Sequence, residues 1–297
     1  MYDGLINVYK EKGFTSHDVV AKLRGILGQK KVGHTGTLDP EAEGVLLVCA
    51  GKGTKLCDML TDRDKTYRAV LLLGKRTDTQ DTTGEVLEER DISGLTEESI
   101  RDVIQSFVGD YEQIPPMYSA LKVNGKKLCD LARAGAEVER KARPVKIYGI
   151  TIESIELPRV VMTVSCSKGT YIRTLCHDIG ERLLAGGCMQ SLVRIKTAGF
   201  DISGSRTLGE MQRLKDEDRL SEAVLPLEAV FQNYRKVHVM DADTDRLVIN
   251  GNPFYNADAA QNECGSPVCV YSMDGRFVGI YEFVREKRMF YPQKIFL

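Results

Sequence analysis

The sequence predicts a mixed α/β protein of the α+β type, followed by a small C-terminal β domain. Apolar, β-rich runs at residues 5–8, 45–50, 67–73, 147–157 and 160–166 alternate with segments whose apolar residues recur at helical spacing. From about Asn233 the pattern changes to short strands and turns, ending in a hairpin in which residues 268–272 and 276–283 flank Asp274-Gly275. At 297 residues the chain holds one large domain or two smaller ones, and the change of pattern divides it into residues 1–232 and 233–297.

The elements follow in order. Leu5-Ile6-Asn7-Val8 reads as a short strand, and Thr15 or Ser16 can cap a helix bearing Val19, Val20, Leu23, Ile26 and Leu27 on one face, ended by Gly28. Lys22, Arg24, Lys30 and Lys31 gather around that helix and its exit. The polar string Gly33-His34-Thr35-Gly36-Thr37-Leu38-Asp39-Pro40 then feeds into a nearly continuous apolar run ending at Ala50, which suits a buried strand. Pro40 biases Asp39 away from the α region, so the loop fixes the backbone that carries one carboxylate. On pattern alone, Asp39 is either a turn cap or a chemical group.

Further along, residues 67–73 form a strand closed by Gly74, residues 77–84 are turn material, and a short strand follows around residues 85–87. Thr96 caps a helix with Ile100, Val103, Ile104, Phe107 and Val108 on one face, and Glu97 and Glu98 sit well against its N-terminal dipole. This acidic helix is expected to face solvent. The strand at residues 160–166 alternates Val160, Met162, Val164 and Cys166, and a helix from about residue 172 to 184 presents Ile172, Leu175, Ile179 and Leu183.

Composition sets the remaining bounds. Hydrophobic residues at 42% and charged residues at 28% are those of a globular protein in water. No apolar run approaches the ~20 residues of a membrane helix, and the start Met1-Tyr2-Asp3 is unlike a signal peptide, so a cytoplasmic location is expected. The eight cysteines are scattered without a CxxC pair, which fits neither a zinc site nor a disulfide framework; buried free thiols are expected, with Cys264 and Cys269 the one pair close in sequence. Neither Gly51-Lys52-Gly53-Thr54 nor Gly25-Ile26-Leu27-Gly28 completes a phosphate-loop motif. The net charge of −1 conceals segregation: residues 78–112 hold eleven acids and two bases, and residues 122–146 hold eight bases and three acids. The second stretch, with Gly125, Gly135 and Pro144, suits a loop-rich arm that touches phosphates, through Lys126, Lys127, Arg140 and Lys141.

The GHTGTLDP string followed by Gly44 and an apolar strand resembles the catalytic loop of the TruB family, the tRNA pseudouridine-55 synthases. Four further matches stand in the family's order: Lys10 with Gly13-Phe14-Thr15-Ser16, Lys65-Thr66-Tyr67, Gln113-Ile114-Pro115-Pro116-Met117-Tyr118-Ser119-Ala120-Leu121-Lys122, and Gly169-Thr170-Tyr171-Ile172-Arg173. The resemblance implies a mainly antiparallel sheet with flanking helices and a PUA-like C-terminal module that binds RNA. It implies isomerisation of uridine to pseudouridine in the T-arm of tRNA, by a monomer that needs no cofactor, metal or obligatory protein partner.

By the same resemblance Asp39 is the nucleophile, Tyr67 stacks on the flipped uracil within reach for proton transfer, and Arg173 pairs with Asp39 to keep it ionised and oriented. Tyr171 packs beside them, Leu192 lines the uracil pocket, and His34 supports the splayed loop by stacking or phosphate contact. The chain departs from the family pattern at Tyr9-Lys10-Glu11, where Asp-Lys-Pro is usual, at Glu43, and around Ser191-Leu192-Val193-Arg194. The first departure favours a structural role for Lys10. Two other readings are a guided pseudouridine synthase acting on other RNAs with partner proteins, and a non-catalytic RNA-binding or RNA-folding protein on the same scaffold.

Overall fold

The computed structural model describes residues 1–297 apart from 120, 124, 137 and 257–265, with the backbone alone at Lys122 and Lys127. Strand β1 (Gly4–Lys10) runs into helix α1 (Ser16–Leu27), a short strand β2 (Val32–His34), strand β3 (Glu43–Ala50) and strand β4 (Lys65–Leu73). The Thr15 side chain accepts from the Asp18 amide while Asp18 reaches back to Thr15, and Gly28 ends the helix in the left-handed conformation at φ 65°. β3 is buried along almost its whole length, which is why its sequence lacks the alternation of a half-exposed strand.

Among the described residues these strands join a nine-stranded sheet that is antiparallel at every junction but one. The exception sets the site. Strand Gly187–Thr197 pairs antiparallel with β4 along its length but touches β3 in parallel at Val193↔Glu43 and Arg194↔Gly44. Arg194 is thereby brought against the start of β3, where the Asp39 loop ends.

The sheet is covered unevenly. Helices Glu97–Gln105 and Ile172–Arg182 close one apolar layer over Ala69, Leu71, Val160, Met162 and Val164. α1 and helix Leu208–Asp216 close a second over Ile6, Val8, Leu46 and Val48. On the opposite face of β1 and β3, Leu5, Leu47 and Cys49 share a third layer with Cys269, Tyr271, Ile280 and Phe296. The last four belong to the C-terminal end, where strands Arg235–His238, Val268–Tyr271, Phe277–Val284 and Met289–Ile295 form a four-stranded sheet beside helix Ala242–Ile249. The C-terminal sheet therefore buries apolar surface of the main sheet.

Several elements differ from their sequence reading. The helix expected to reach residue 184 stops at Arg182: Leu184 turns left-handed at φ 57°, the amides of Ala185 and Gly186 close back onto the Gly180 carbonyl, and Leu184 is left 82% exposed. Val108 lies beyond the end of its helix and is 41% exposed. The short strand read around residues 85–87 is Val86–Glu89, paired with Lys75–Thr77 at the surface. Helix Ala242–Ile249 stands in a region read as strands and turns. Cys49, Cys166, Cys176, Cys188 and Cys269 are buried thiols, Cys57 and Cys129 are half-buried, and Cys264 lies outside the described residues.

Candidate active site

Asp39 sits in the loop between β2 and β3, and neighbouring side chains hold that loop by its backbone. Lys10 is fully buried and its Nζ donates to the carbonyls of Ala42 at 2.6 Å, Pro40 at 3.0 Å and Glu11 at 3.1 Å. Burial pushes this ammonium below its ordinary range, while Glu43 and Asp39 act in the opposite direction. Ser16 Oγ accepts from the Leu38 amide at 2.9 Å, and the Gly13 amide donates to the Pro40 carbonyl at 2.9 Å. Arg194, 1% exposed, donates through Nε to Val45 O at 2.7 Å and through Nη2 to Gly36 O at 3.1 Å. Gly44 is required where the two strands meet, since at φ 99° an added Cβ would lie 2.3 Å from the Arg194 carbonyl oxygen. The loop is clamped at both ends.

Arg173 stands in the first turn of helix Ile172–Arg182, with its side chain 6% exposed. Its Nε lies 3.0 Å from Asp39 Oδ2 and its Nη1 lies 3.7 Å from Asp81 Oδ2. Nη1 also donates to Thr79 O at 3.1 Å and Nη2 to Tyr118 O at 2.8 Å. The guanidinium is thus fixed by three groups from two other segments before it meets Asp39, whose side chain stays 42% exposed. The helix start is fixed too: Gln113 Oε1 accepts from the Tyr171 amide at 2.7 Å and Gln113 Nε2 donates to the Tyr171 carbonyl at 2.9 Å.

Beside this pair opens a cavity of about 590 Å³, lined by Asp39, Tyr67, Tyr171, Arg173 and Leu192 together with Lys65 and Arg194. Tyr67 is 8% exposed, and burial raises its phenol above the ordinary range, so it carries its proton at neutral pH. Lys65 donates to Thr61 O and Arg63 O, both at 2.6 Å, and burial followed by the nearby Arg194 charge lowers it to about 8. A second cavity of about 710 Å³ shares Asp39, Ser119, Arg173 and Leu192 with the first, so the ion pair forms part of the wall between two spaces. Among the described residues no cluster of His, Cys, Asp and Glu has the form of a metal site. The site offers a held carboxylate at the side of a slot with apolar and aromatic walls.

The sequence model for the N-terminal domain of TruB family pseudouridylate synthases matches residues 24–172, and that for the C-terminal domain of tRNA pseudouridylate synthase B matches residues 173–232. The chain belongs to the TruB family. Among its relatives, the tRNA pseudouridine synthase B of Lachnoclostridium phytofermentans is 48% identical over 308 residues, covering 99% of this chain and 100% of that protein. That of Staphylococcus saprophyticus is 44% identical over 306 residues, covering 100% of both. Among solved structures, a Cbf5-Nop10-Gar1 complex aligns with a TM-score of 0.71 at 26% identity, over 100% of this chain and 85% of the other. An H/ACA RNP bound to a substrate RNA containing 2'-deoxyuridine aligns at 0.72 with 24% identity, over 99% and 85%, a likeness of fold.

Within this TruB-family chain, Asp39, Tyr67, Tyr171, Arg173 and Leu192 come together, and His34 stands apart from the cavity lining. Its Nδ1 accepts from the Gly36 amide at 3.3 Å and its ring meets that of His17 edge-on at 5.4 Å. Burial, then the charges of His17 and Arg194, lowers His34 to about 4, so the ring is neutral at physiological pH. In the basic stretch, Lys126 and Lys141 are exposed, Arg140 Nη1 donates to Pro115 O at 3.1 Å, and the Lys127 side chain lies outside the described residues. Arg143 from the same stretch lines the cavity. Sequence reasoning gave no site role to Arg194, Asp81, Gln113 or Lys65, although Lys65 and Gln113 stand in motifs that carry the family resemblance. A basic residue between Val193 and Ile195 was the one available signal for Arg194.

Proposed function

We propose that this chain isomerises uridine to pseudouridine at position 55 of tRNA, in the T-arm, with Asp39 as the nucleophile. The observation that carries the reading is the Asp39 carboxylate at the cavity wall, 3.0 Å from a buried Arg173 that is itself held by Thr79, Tyr118 and Asp81. An Asp39 oxygen adds to the nucleoside at the sugar or at the base, the bond from N1 to the sugar breaks, and the uracil turns. C5 then bonds to the sugar as Asp39 is released, C5 gives up its proton and N1 takes one up. Product and substrate are isomers, so the reaction calls for neither an oxidant nor a group donor.

The other residues divide the work. Arg173 holds Asp39 aimed at the cavity, the Tyr67 ring stacks on the flipped uracil, and its protonated hydroxyl is the group within reach for proton transfer. Tyr171 and Leu192 complete the walls. His34 supports the opened T-loop from outside the cavity as a neutral ring. Lys126, Lys127, Arg140 and Lys141 hold RNA phosphates from the basic arm, and the C-terminal sheet acts as a PUA-like module for the same RNA. The protein works in the cytoplasm as a monomer.

Identity of 48% over full length to a tRNA pseudouridine synthase B favours a tRNA substrate. The intact set of Asp39, Tyr67 and Arg173 weighs against a non-catalytic RNA-binding protein. The test is incubation of purified protein with unmodified tRNA and no added cofactor, followed by mapping of pseudouridine. Product at position 55 is expected; no product at any uridine would overturn the reading.

A further inference from the structure

Successive residues of a strand point to opposite faces of its sheet, so Thr66 faces away from the cavity into which Tyr67 points. On that far face lies a groove of about 450 Å³ whose lining includes Arg63, Lys65, Thr66, Tyr148, Lys196 and Asn233. Lys65 lines both the groove and the catalytic cavity, so the two are neighbours across the end of β4. Three cations and one carboxylate, Asp64, line the groove. Asp64 Oδ1 already accepts from the Tyr148 hydroxyl at 2.9 Å, which pins the ring in place at 48% exposure.

Arg63 and Lys196 are exposed, and among the described residues neither takes part in a salt bridge. Most other surface charges in this region are engaged: Arg68 pairs with Glu153 at 2.7 Å and Lys168 with Asp62 at 2.8 Å. Two exposed cations outside any salt bridge among the described residues, Lys196 opposite Asp201 across the strand pair, beside an immobilised, exposed aromatic ring form the arrangement that holds single-stranded nucleic acid, with phosphates on the charges and a base on the ring.

We propose that this groove binds an unpaired nucleotide of the substrate RNA flanking the target uridine, its base stacked on Tyr148 and its phosphates on Arg63 and Lys196. The inference rests on the proposed RNA substrate and adds a contact outside the catalytic cavity. It gives the RNA strand a second hold across the sheet end, which resists re-stacking of the flipped base.

The experiment measures binding of unmodified tRNA as a function of salt for wild type, Arg63→Ala/Lys196→Ala and Tyr148→Ala. Removing two single-strand phosphate contacts should lower the log–log salt slope by about 1.4 and weaken binding roughly 25-fold at 0.1 M salt relative to 1 M. Tyr148→Ala should cost roughly ten-fold, while Tyr148→Phe, which keeps the ring, should retain most of the affinity. Abasic substitution at positions flanking the target should abolish the Tyr148→Ala effect at one position. An unchanged salt slope in the double variant, or a Tyr148→Ala loss that no abasic position absorbs, would overturn the groove. Failure of the proposed function shows separately, as a wild type that forms no pseudouridine on the same tRNA.

Discussion

Arg173 Nε meets Asp39 Oδ2 at 3.0 Å, and the arginine is the buried member of the pair while the aspartate is the open one. This asymmetry has a chemical consequence. The buried partner is fully solvated by protein groups and stays put, leaving the exposed carboxylate free on its other side to meet a substrate.

Arg173→Lys keeps the positive charge but cannot reproduce a fork that reaches Asp39, Asp81, Thr79 and Tyr118 together. Single-turnover pseudouridine formation is expected to fall at least about 100-fold, the scale of loss for a misplaced catalytic group. A lysine variant within a few-fold of wild type would show that charge alone suffices.

Lys10 contributes no reacting group but ties down the backbone on the C-terminal side of Asp39. Lys10→Met removes three hydrogen bonds and takes this donor from the buried Ala42 carbonyl, so stability should drop by about 2 kcal/mol in a denaturant titration. The rate should fall even at temperatures where the variant stays folded. A variant with unaltered stability and rate would remove Lys10 from the account.

Tyr67→Phe retains the stacking face and loses the hydroxyl alone. It should bind both structured and loosened T-arm RNAs, yet slow the single-turnover rate about equally on each. His34→Ala should instead impair the structured T-arm much more than the loosened one, because its role is to support the opened loop. Equal slowing of both RNAs by His34→Ala would assign the histidine to the loop's own structure.

His34 also makes stability depend on pH. Its folded value of about 4 lies below the ~6.5 of an unfolded histidine, so in that window the unfolded chain binds the extra proton. Stability should therefore fall as pH drops from 6.5 toward 4, and His34→Asn should remove that part of the slope. Urea titrations at pH 7.5 and 5 measure it; identical pH dependence in both proteins would contradict a half-buried, neutral His34.

The Asp39 loop and its neighbours were legible because their signals are local: Gly33, Gly36 and Pro40 write a turn, and the apolar run after it writes a buried strand. The cap at Thr15 was legible for the same reason. Arg194 was not, because strand Gly187–Thr197 carries bulges between Met189 and Ser191 and between Arg194 and Lys196 that break its two-residue alternation. A buried arginine and an exposed lysine two positions later then look alike in sequence. Gln113 and Asp81 serve partners far along the chain, a relation that no local pattern encodes. The helix Leu208–Asp216 did have a local signal, a capping box from Thr207 to Glu210, that hydrophobic periodicity alone passes over.

The central claim, that Asp39 is the nucleophile, is tested most directly by Asp39→Asn in a single-turnover assay on unmodified tRNA, with binding measured alongside. The amide keeps the shape of the side chain but is a poor nucleophile. Pseudouridine formation should be abolished while the dissociation constant stays within a few-fold of wild type. An asparagine variant that turns over near the wild-type rate would contradict the account.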